Sequence, residues 1–141
     1  FHKQLFDTAR QMNPEVSLEM HCCGKCEQIV DDFVEIGTNV WQPAQVSNDL
    51  EGLRARFGEK LVFNGAWDNI SVFSNPDITE EEIRQSVRDT IDRYGRQGGL
   101  IFWDQQLGSG EDMMKKLAII NDEVKTYGVL RLGNCETSTQ S

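Results

Sequence analysis

Residues 19–26, with the sequence EMHCCGKC, bring a carboxylate, an imidazole and three thiols together in one short run. Imidazole nitrogen and cysteine thiolate are ligands that commonly hold zinc, and a catalytic zinc keeps three protein ligands and one open position. If the run ends a β-strand, side chains alternate between its faces, so Glu19, His21 and Cys23 share one face and Cys22 points to the other. The spacing therefore indicates that Glu19, His21 and Cys23 are candidate metal ligands.

Packing explains part of the same run equally well. Free cysteine is among the most buried residue types and behaves as a small hydrophobe, so packing is the favoured role of Cys22 and Cys26. Cys26, one helical turn onward, is also a possible further ligand. For His21 and Cys23, metal binding and no metal binding stay open as alternatives. Cys135 has no partner nearby in the sequence, and we interpret it as incidental.

Polar side chains also lie at or beyond the ends of the other predicted strands, where parallel strands would gather them on one rim. An amide there can orient a polar ligand, and an aspartate can move a proton. We predict that Asp68 is catalytic and that Gln42, Gln45, Asn64 and Trp67 bind substrate. Loop-facing Asp and Gln often serve only as solvated or capping groups, and that alternative stays open. The other polar residues of this rim are Asp104, Gln105 and Gln106.

Tryptophan recurs on three successive predicted strands, at Trp41, Trp67 and Trp103. Flat indole rings can wall a cofactor or a substrate, which is the basis of the prediction for Trp67. Filling of the hydrophobic core is the commoner role of such aromatic residues and remains the alternative.

Apolar periodicity predicts the elements that position these residues. Short apolar runs alternate with stripes of apolar residues at helical spacing, and Pro14, Gly24, Gly37, Gly58 and Gly98 punctuate them. Thr79 with Glu82 has the pattern of a capping box that begins a helix. Residues 69–78 are predicted as a loop, and the last helix is predicted to end at Gly128. The predicted strands are 16–23, 39–45, 60–68 and 100–103, and the predicted helices are 1–13, 26–37, 50–58, 79–94 and 109–128.

Strands that alternate one for one with amphipathic helices predict an α/β fold with parallel strands and right-handed crossovers. Four such βα units fit into 141 residues, whereas a complete (β/α)₈ barrel takes about 250 residues. We therefore expect half of such a barrel in residues 1–134, and a flexible tail in 135–141. The chain begins at Phe1 without an initiator methionine, and we expect a fragment of a longer protein. Its two open sheet edges would be covered by self-association or by the other half-barrel.

Composition excludes several classes of partner. The formal net charge is −9, which disfavours binding to nucleic acids and to anionic membrane surfaces. There is no apolar run long enough to span a bilayer and no signal-peptide pattern at the start, so we expect a cytoplasmic protein with reduced thiols. Glycine-rich dinucleotide, phosphate-loop and serine-nucleophile motifs are all missing from the sequence, which disfavours the enzyme classes that use them.

Several motifs, in this order, resemble the carboxyl-terminal half of the uroporphyrinogen decarboxylase superfamily, and the resemblance spans nearly the whole chain. The superfamily is known for (β/α)₈ barrels of two kinds. Some are decarboxylases that act on a tetrapyrrole, and others are corrinoid-dependent methyltransferases with a His-x-Cys zinc site. The motifs are His21-Cys22-Cys23-Gly24, Glu35-Ile36-Gly37, Trp41-Gln42-Pro43-Ala44-Gln45, Asn48-Asp49-Leu50, Phe57-Gly58-Glu59-Lys60-Leu61 and Gly65-Ala66-Trp67-Asp68.

The resemblance implies the methyltransferase branch more than the decarboxylase branch. The His-x-Cys pair of the methyltransferases matches His21 and Cys23, whereas the Gly-His-Gly motif of the decarboxylases is replaced by residues 104–108. The third zinc ligand of the methyltransferases, a cysteine after the last strand, has no counterpart, so Glu19, Cys26 or a water would have to substitute. The implied activity moves a methyl group between a small methylated substrate, a cobamide and a thiol or pterin acceptor. Implied partners are that substrate or a corrinoid carrier protein. The alternatives are uroporphyrinogen decarboxylation and an inactive half-barrel that only self-associates.

Overall fold

The computed structural model describes residues 1–104 and 109–135, with side chains described as far as residue 128. The strands are β1 (Glu19–His21), β2 (Val40–Ala44), β3 (Val62–Gly65) and β4 (Leu100–Ile101). They form one sheet in the order β1-β2-β3-β4, and each strand is parallel to its neighbours. Sequential parallel strands with helices between them are the arrangement of half a (β/α)₈ barrel. The predicted α/β fold class is therefore confirmed.

The helices follow the predicted alternation with the strands. Thr79 and Glu82 form the predicted capping box at the start of the fifth helix, each side chain bonding the backbone of the other residue. Short 3₁₀ turns cover Glu27–Ile29 and Gly58–Lys60. No helix in the described part of the chain combines the length and the apolar character that crossing a bilayer requires. The α-helices are α1 (His2–Met12), α2 (Val30–Glu35), α3 (Leu50–Phe57), α4 (Asn69–Ser74), α5 (Glu80–Tyr94) and α6 (Glu111–Cys135).

One face of the sheet carries the larger core. Trp41 and Phe63 are paired across β2 and β3, are fully buried, and have ring centroids 6.2 Å apart in an edge-to-face contact. Arg54 of α3 lies over the Phe63 ring at 4.3 Å and donates to the carbonyl oxygen of Gly99 at 2.8 Å. Burial lowers the pKa of this guanidinium. The other buried members of this cluster are Cys26, Val30, Phe33, Ala44, Leu50, Leu53, Leu61 and Ala66.

A second core cluster joins the end of β3 to α4, α5 and α6. Trp67 is 4% exposed and contacts Phe73 and Phe102 with ring centroids 5.7 Å away in each case. Its indole nitrogen donates to Ser86 Oγ at 3.1 Å, so the polar end of the ring is satisfied inside the protein. The other buried members are Val72, Ile83, Val87, Ile91 and Ile120.

A polar cluster also holds α5 against α6. Glu123 of α6 is 4% exposed and accepts hydrogen bonds from Arg88 Nε at 2.6 Å and from Arg84 Nη1 at 2.8 Å. Its pKa is lowered chiefly by the hydrogen bond from Arg88, with Arg84 contributing and burial opposing. Charge-assisted bonds to both carboxylate oxygens compensate for removing the group from water. These ion pairs hold α5 and α6 together.

The predicted secondary structure was wrong in three respects. The stretch 69–78, predicted as a loop, contains α4, a helix of 6 residues that is too short to give a periodic signal. The final helix continues past Gly128 to Cys135. Gly128 does not take the positive φ of a terminating glycine, and one interior glycine costs a helix only about 1 kcal/mol. The strands are also shorter than predicted, because backbone pairing with the neighbouring strand ends before the apolar run in the sequence does.

Candidate functional site

His21 and Cys23 come together at the carboxyl end of β1. The His21 Nε2 and Cys23 Sγ atoms are 3.2 Å apart, and both residues are exposed. His21 ends the strand and Cys23 lies two residues beyond it, so the alternation of the strand places both side chains on one face. The predicted juxtaposition of imidazole and thiol is confirmed.

The other ring nitrogen of His21 contacts the neighbouring strand. Nδ1 lies 2.8 Å from Oε1 of Gln42, which is the register partner of His21 on β2. Metal-bound histidine almost always uses its second ring nitrogen for such a contact, which fixes the orientation of the ring. The predicted substrate-binding residue Gln42 therefore touches the candidate ligand His21 directly.

The loop after β1 is tied to the loop after β2. Gln45 Oε1 accepts from the backbone nitrogen of Gly24 at 2.6 Å. Asn48, which is 6% exposed, accepts from the backbone nitrogens of Cys26 at 2.8 Å and Glu27 at 3.0 Å, and donates to the carbonyl oxygen of Gly24 at 2.9 Å. These bonds satisfy backbone groups that no strand or helix satisfies. They give the Cys23 loop a fixed conformation.

Glu19 and Asn64 are joined across the face of the sheet. Asn64 Nδ2 donates to Glu19 Oε2 at 2.9 Å, which links β1 to β3 over the intervening strand β2. The Oδ1 atom of Asn64 is buried and has no hydrogen-bond partner among the described residues. The predicted ligand Glu19 and the predicted substrate-binding residue Asn64 thus contact each other on the face that carries His21.

The His21–Cys23 pair fits two positions of a zinc site. Tetrahedral zinc places its nitrogen and sulfur ligand atoms about 3.5 Å apart, which is close to the observed 3.2 Å. Among the side chains of residues 1–104 and 109–128, no group of three or more His, Cys, Asp and Glu is arranged to share a metal ion. Glu19 is engaged with Asn64. A zinc ion held by His21 and Cys23 would therefore take its third ligand from outside the described residues or from water.

The remaining cysteines near the site belong to the core face. Cys22 packs against the larger core cluster, and Cys26 is a buried member of it. Burial, reinforced by the neighbouring Cys22, raises the pKa of the Cys26 thiol to about 11. Cys26 therefore stays a neutral thiol at neutral pH, as its packing role requires. Cys135 lies beyond the described side chains.

Asp68 and Trp67 follow β3 on a turn that leads into the helices. The Asp68 carboxylate is the N-cap of α4 and accepts from Ser71 N at 3.1 Å and Ser71 Oγ at 2.7 Å. Trp67 lies in the second core cluster. Both residues line a cleft of about 490 Å³ between the loops after β2 and β3 and helix α5. Trp103 and Asp104 are partly buried, and the predicted rim residues Gln105 and Gln106 lie outside the described residues.

A comparison with models of protein families shows which family the chain belongs to. Residues 1–103 match the family model of uroporphyrinogen decarboxylase (URO-D). The chain belongs to the uroporphyrinogen decarboxylase family. No curated protein and no solved structure gives a significant match. The matched range of this URO-D family chain includes β1 to β4 and every residue of the His21 face described above.

Sequence reasoning missed one structural residue of the site, Asn48. The pattern Asn48-Asp49 before α3 is typical of a helix cap, and Asp49 does cap α3 by accepting from Gly52 N at 2.9 Å. The bonds of Asn48 reach back about 20 residues to the preceding loop, which depends on how the strands are placed side by side. No local signal in the sequence predicts them.

Proposed function

We propose that this chain supplies the thiol-binding rim of a corrinoid-dependent methyltransferase or demethylase within the family. The reaction moves a methyl group between a small methylated substrate, a cobamide and a thiol or pterin acceptor. The observation that supports this proposal is the 3.2 Å approach of His21 Nε2 to Cys23 Sγ at the carboxyl end of β1, where α/β barrels carry their chemistry.

In this proposal His21 and Cys23 hold a zinc ion, and water completes its coordination in the isolated chain. Zinc, when bound, keeps an acceptor thiol in the thiolate form, which is a far better nucleophile than the thiol. Gln42 orients the imidazole, and Gln45 and Asn48 hold the loop that carries Cys23. Glu19 and Asn64 line the wall beside the pair, where they contact the substrate. The substrate is a small molecule or a cobamide on a carrier protein, in the cytoplasm.

Metal analysis of the purified chain tests the proposal. After incubation with zinc and removal of free metal, we expect about one zinc per chain, and a large loss of zinc in His21→Ala and in Cys23→Ser. Cys22→Ser is the matched control, because it removes the adjacent thiol from the core face. It should retain zinc. Absence of zinc from the unmutated chain, or equal loss in Cys22→Ser and Cys23→Ser, would falsify the proposal.

The competing enzymatic function is decarboxylation of a tetrapyrrole, which the family match supports as much as it supports methyl transfer. In that case Asp68 moves a proton at the lip of the cleft, and zinc has no role. A chain that binds no zinc but binds a carboxylated porphyrinogen, with binding lost in Asp68→Ala, would favour this function over methyl transfer. Ser71→Ala is the control for the capping role of Asp68, because it removes only one of the two bonds to that carboxylate.

A non-enzymatic alternative is a half-barrel whose behaviour is limited to self-association. Within the described residues, β1 and β4 each have a strand partner on one side only, and such edges pair readily with further strands. Gel filtration with multi-angle light scattering separates the cases. Stable dimers favour this alternative, and a well-behaved monomer contradicts it.

A further inference from the structure

Gln42 contacts the ring nitrogen of His21 that points away from Cys23. A neutral imidazole carries one N–H and one lone pair, and which nitrogen holds the proton is set by the partner of the other nitrogen. The oxygen of the Gln42 side chain, 2.8 Å from Nδ1, can only accept a hydrogen bond. Nδ1 then donates, and the lone pair lies on Nε2, the nitrogen that is 3.2 Å from Cys23 Sγ.

We propose that Gln42 is a positioning residue that holds His21 in the Nδ1–H tautomer and directs the Nε2 lone pair toward Cys23. The use of this lone pair for ligating a metal rests on the proposed function, whereas the tautomer itself does not. Gln42 thus acts through His21, and its amide oxygen is already engaged before any substrate arrives.

The backbone holds Gln42 firmly enough for this role. Gln42 lies on β2 between Trp41 and Pro43, both of which are fully buried. Its carbonyl oxygen accepts from the backbone nitrogen of Cys22 at 2.8 Å, one residue beyond its register partner His21. A side chain on a paired strand is positioned more accurately than one on a loop. The pairing of β1 with β2 therefore places the His21 ring beside the Gln42 amide.

The opposite orientation of the Gln42 amide makes a distinguishable prediction. If the amide nitrogen faced the ring, it would donate to Nδ1, the proton would sit on Nε2, and the lone pair would point away from Cys23. The two orientations thus give opposite tautomers of His21 in the metal-free protein.

Nitrogen NMR of the ¹⁵N-labelled, metal-free chain measures the tautomer directly from the ring-nitrogen shifts at a pH of about 7.5, between the ordinary pKa values of an imidazole, about 6.5, and of a thiol, about 8.5. The chain has 2 histidines, and the exposed His2 on α1 serves as an internal reference for a solvated ring. We expect His21 to be mainly Nδ1–H and His2 to show the Nε2–H form that neutral histidine prefers in water. Mainly Nε2–H at His21 in the unmutated chain would overturn the proposal.

Variants separate positioning from mere packing. In Gln42→Ala the ratio of Nδ1–H to Nε2–H at His21 should fall about tenfold, as loss of one hydrogen bond allows. Gln42→Glu, which keeps an acceptor, should restore it. Gln11→Ala is the matched control, because Gln11 is an exposed amide on α1, away from the site, and it should leave the ratio unchanged. An unchanged ratio in Gln42→Ala, in a chain whose amide spectrum remains dispersed, contradicts the proposal.

Zinc titration of the same variants addresses the proposed function separately. Loss of an outer partner of a metal-bound histidine typically weakens metal binding about 10–100-fold, and we expect this of Gln42→Ala but not of Gln11→Ala. If the unmutated chain binds no zinc while His21 is Nδ1–H, the proposed function fails and the positioning role of Gln42 stands. If zinc binds and the tautomer is Nε2–H, the positioning role fails alone.

Discussion

The two faces of the sheet use neighbouring residues of the same strands for opposite purposes. One face is an aromatic core whose central side chains, Trp41 and Phe63, are fully buried. The other face carries imidazole, amide, carboxylate and thiol groups, most of them partly or fully exposed. The neighbours that face opposite ways are Cys22 and Cys23, Trp41 and Gln42, and Phe63 and Asn64.

Because of this difference, we expect substitutions on the core face to change stability and substitutions on the other face to change the chemistry of His21. Core residues contribute stability through burial and packing, whereas exposed polar residues contribute little to stability. A change on the core face should therefore lower the free energy of unfolding and leave the chemistry of His21 intact in the folded fraction. A change at His21, Cys23 or Gln42 should lower the free energy of unfolding only slightly and alter the chemistry of His21.

Trp41→Ala tests the core face with the largest expected effect. Trp41 is 0% exposed and its indole nitrogen donates to the carbonyl oxygen of Cys22 at 3.2 Å. We expect a loss of about 4 kcal/mol in the free energy of unfolding, as for other buried aromatics truncated to alanine. Chemical denaturation followed by circular dichroism measures it.

Gln42→Ala, one position along β2, is the control and should lower the unfolding free energy by about 1 kcal/mol, the value of its one hydrogen bond to His21. If Trp41→Ala does not fold, Trp41→Phe supplies the measurement with a smaller loss. Equal destabilisation at positions 41 and 42 would mean that the two faces are not distinct.

Glu123→Gln extends the comparison of the two faces to a polar group with a structural role, because Glu123 holds α6 against α5. Replacing its carboxylate weakens bonds to Arg84 and Arg88, and we expect a loss of about 2 kcal/mol in unfolding free energy. The arginines lower the pKa of Glu123, so its contribution is present above the ordinary glutamate pKa near 4.5. It is lost as pH falls through the lower folded value.

Denaturation of both proteins across this pH range provides the check. The stability difference between the unmutated chain and Glu123→Gln should be constant at neutral pH and shrink below about pH 4.5. Zinc binding at His21 should be unaffected at neutral pH. A stability difference that grows on acidification would contradict the proposed origin of this cluster.

Cys22→Ser and Cys23→Ser form the closest pair across the two faces. A hydroxyl placed against the core by Cys22→Ser loses favourable packing, and we expect a cost of about 1 kcal/mol. Cys23→Ser, on the exposed side, should cost less than about 0.5 kcal/mol. Thermal denaturation of the two variants measures this difference. A larger loss in Cys23→Ser would place Cys23, and not Cys22, in a packing role.

Apart from α4, the sequence was sufficient for the order of strands and α-helices and for the placing of His21 beside Cys23. The strand period placed both side chains on one face, and the capping signal at Thr79 located α5 within one residue. Helix α4 was missed because 6 residues are too few to show a helical period, although its cap residue Asp68 had been singled out for a different role. Local patterns thus predicted what depends on neighbours along the chain.

Contacts between strands could not be predicted in the same way. The bond between Gln42 and His21 depends on the register of β1 against β2, and the bond between Glu19 and Asn64 spans three strands. Glu19 was predicted as a third metal ligand from its position on β1 alone. The sequence gives no measure of how far a neighbouring amide reaches, which is why the contact with Asn64 was not foreseen.

X-ray absorption spectroscopy of the zinc-loaded chain tests most directly whether the two faces are chemically separate. If His21 and Cys23 bind zinc and Cys22 and Cys26 remain in the core, the first shell contains one sulfur at about 2.3 Å and nitrogen or oxygen atoms at about 2.0 Å. Two or more sulfurs per zinc in the Cys135→Ser chain would mean that a core-face cysteine reaches the metal, which would contradict the division of the sheet into a packed face and a reactive face.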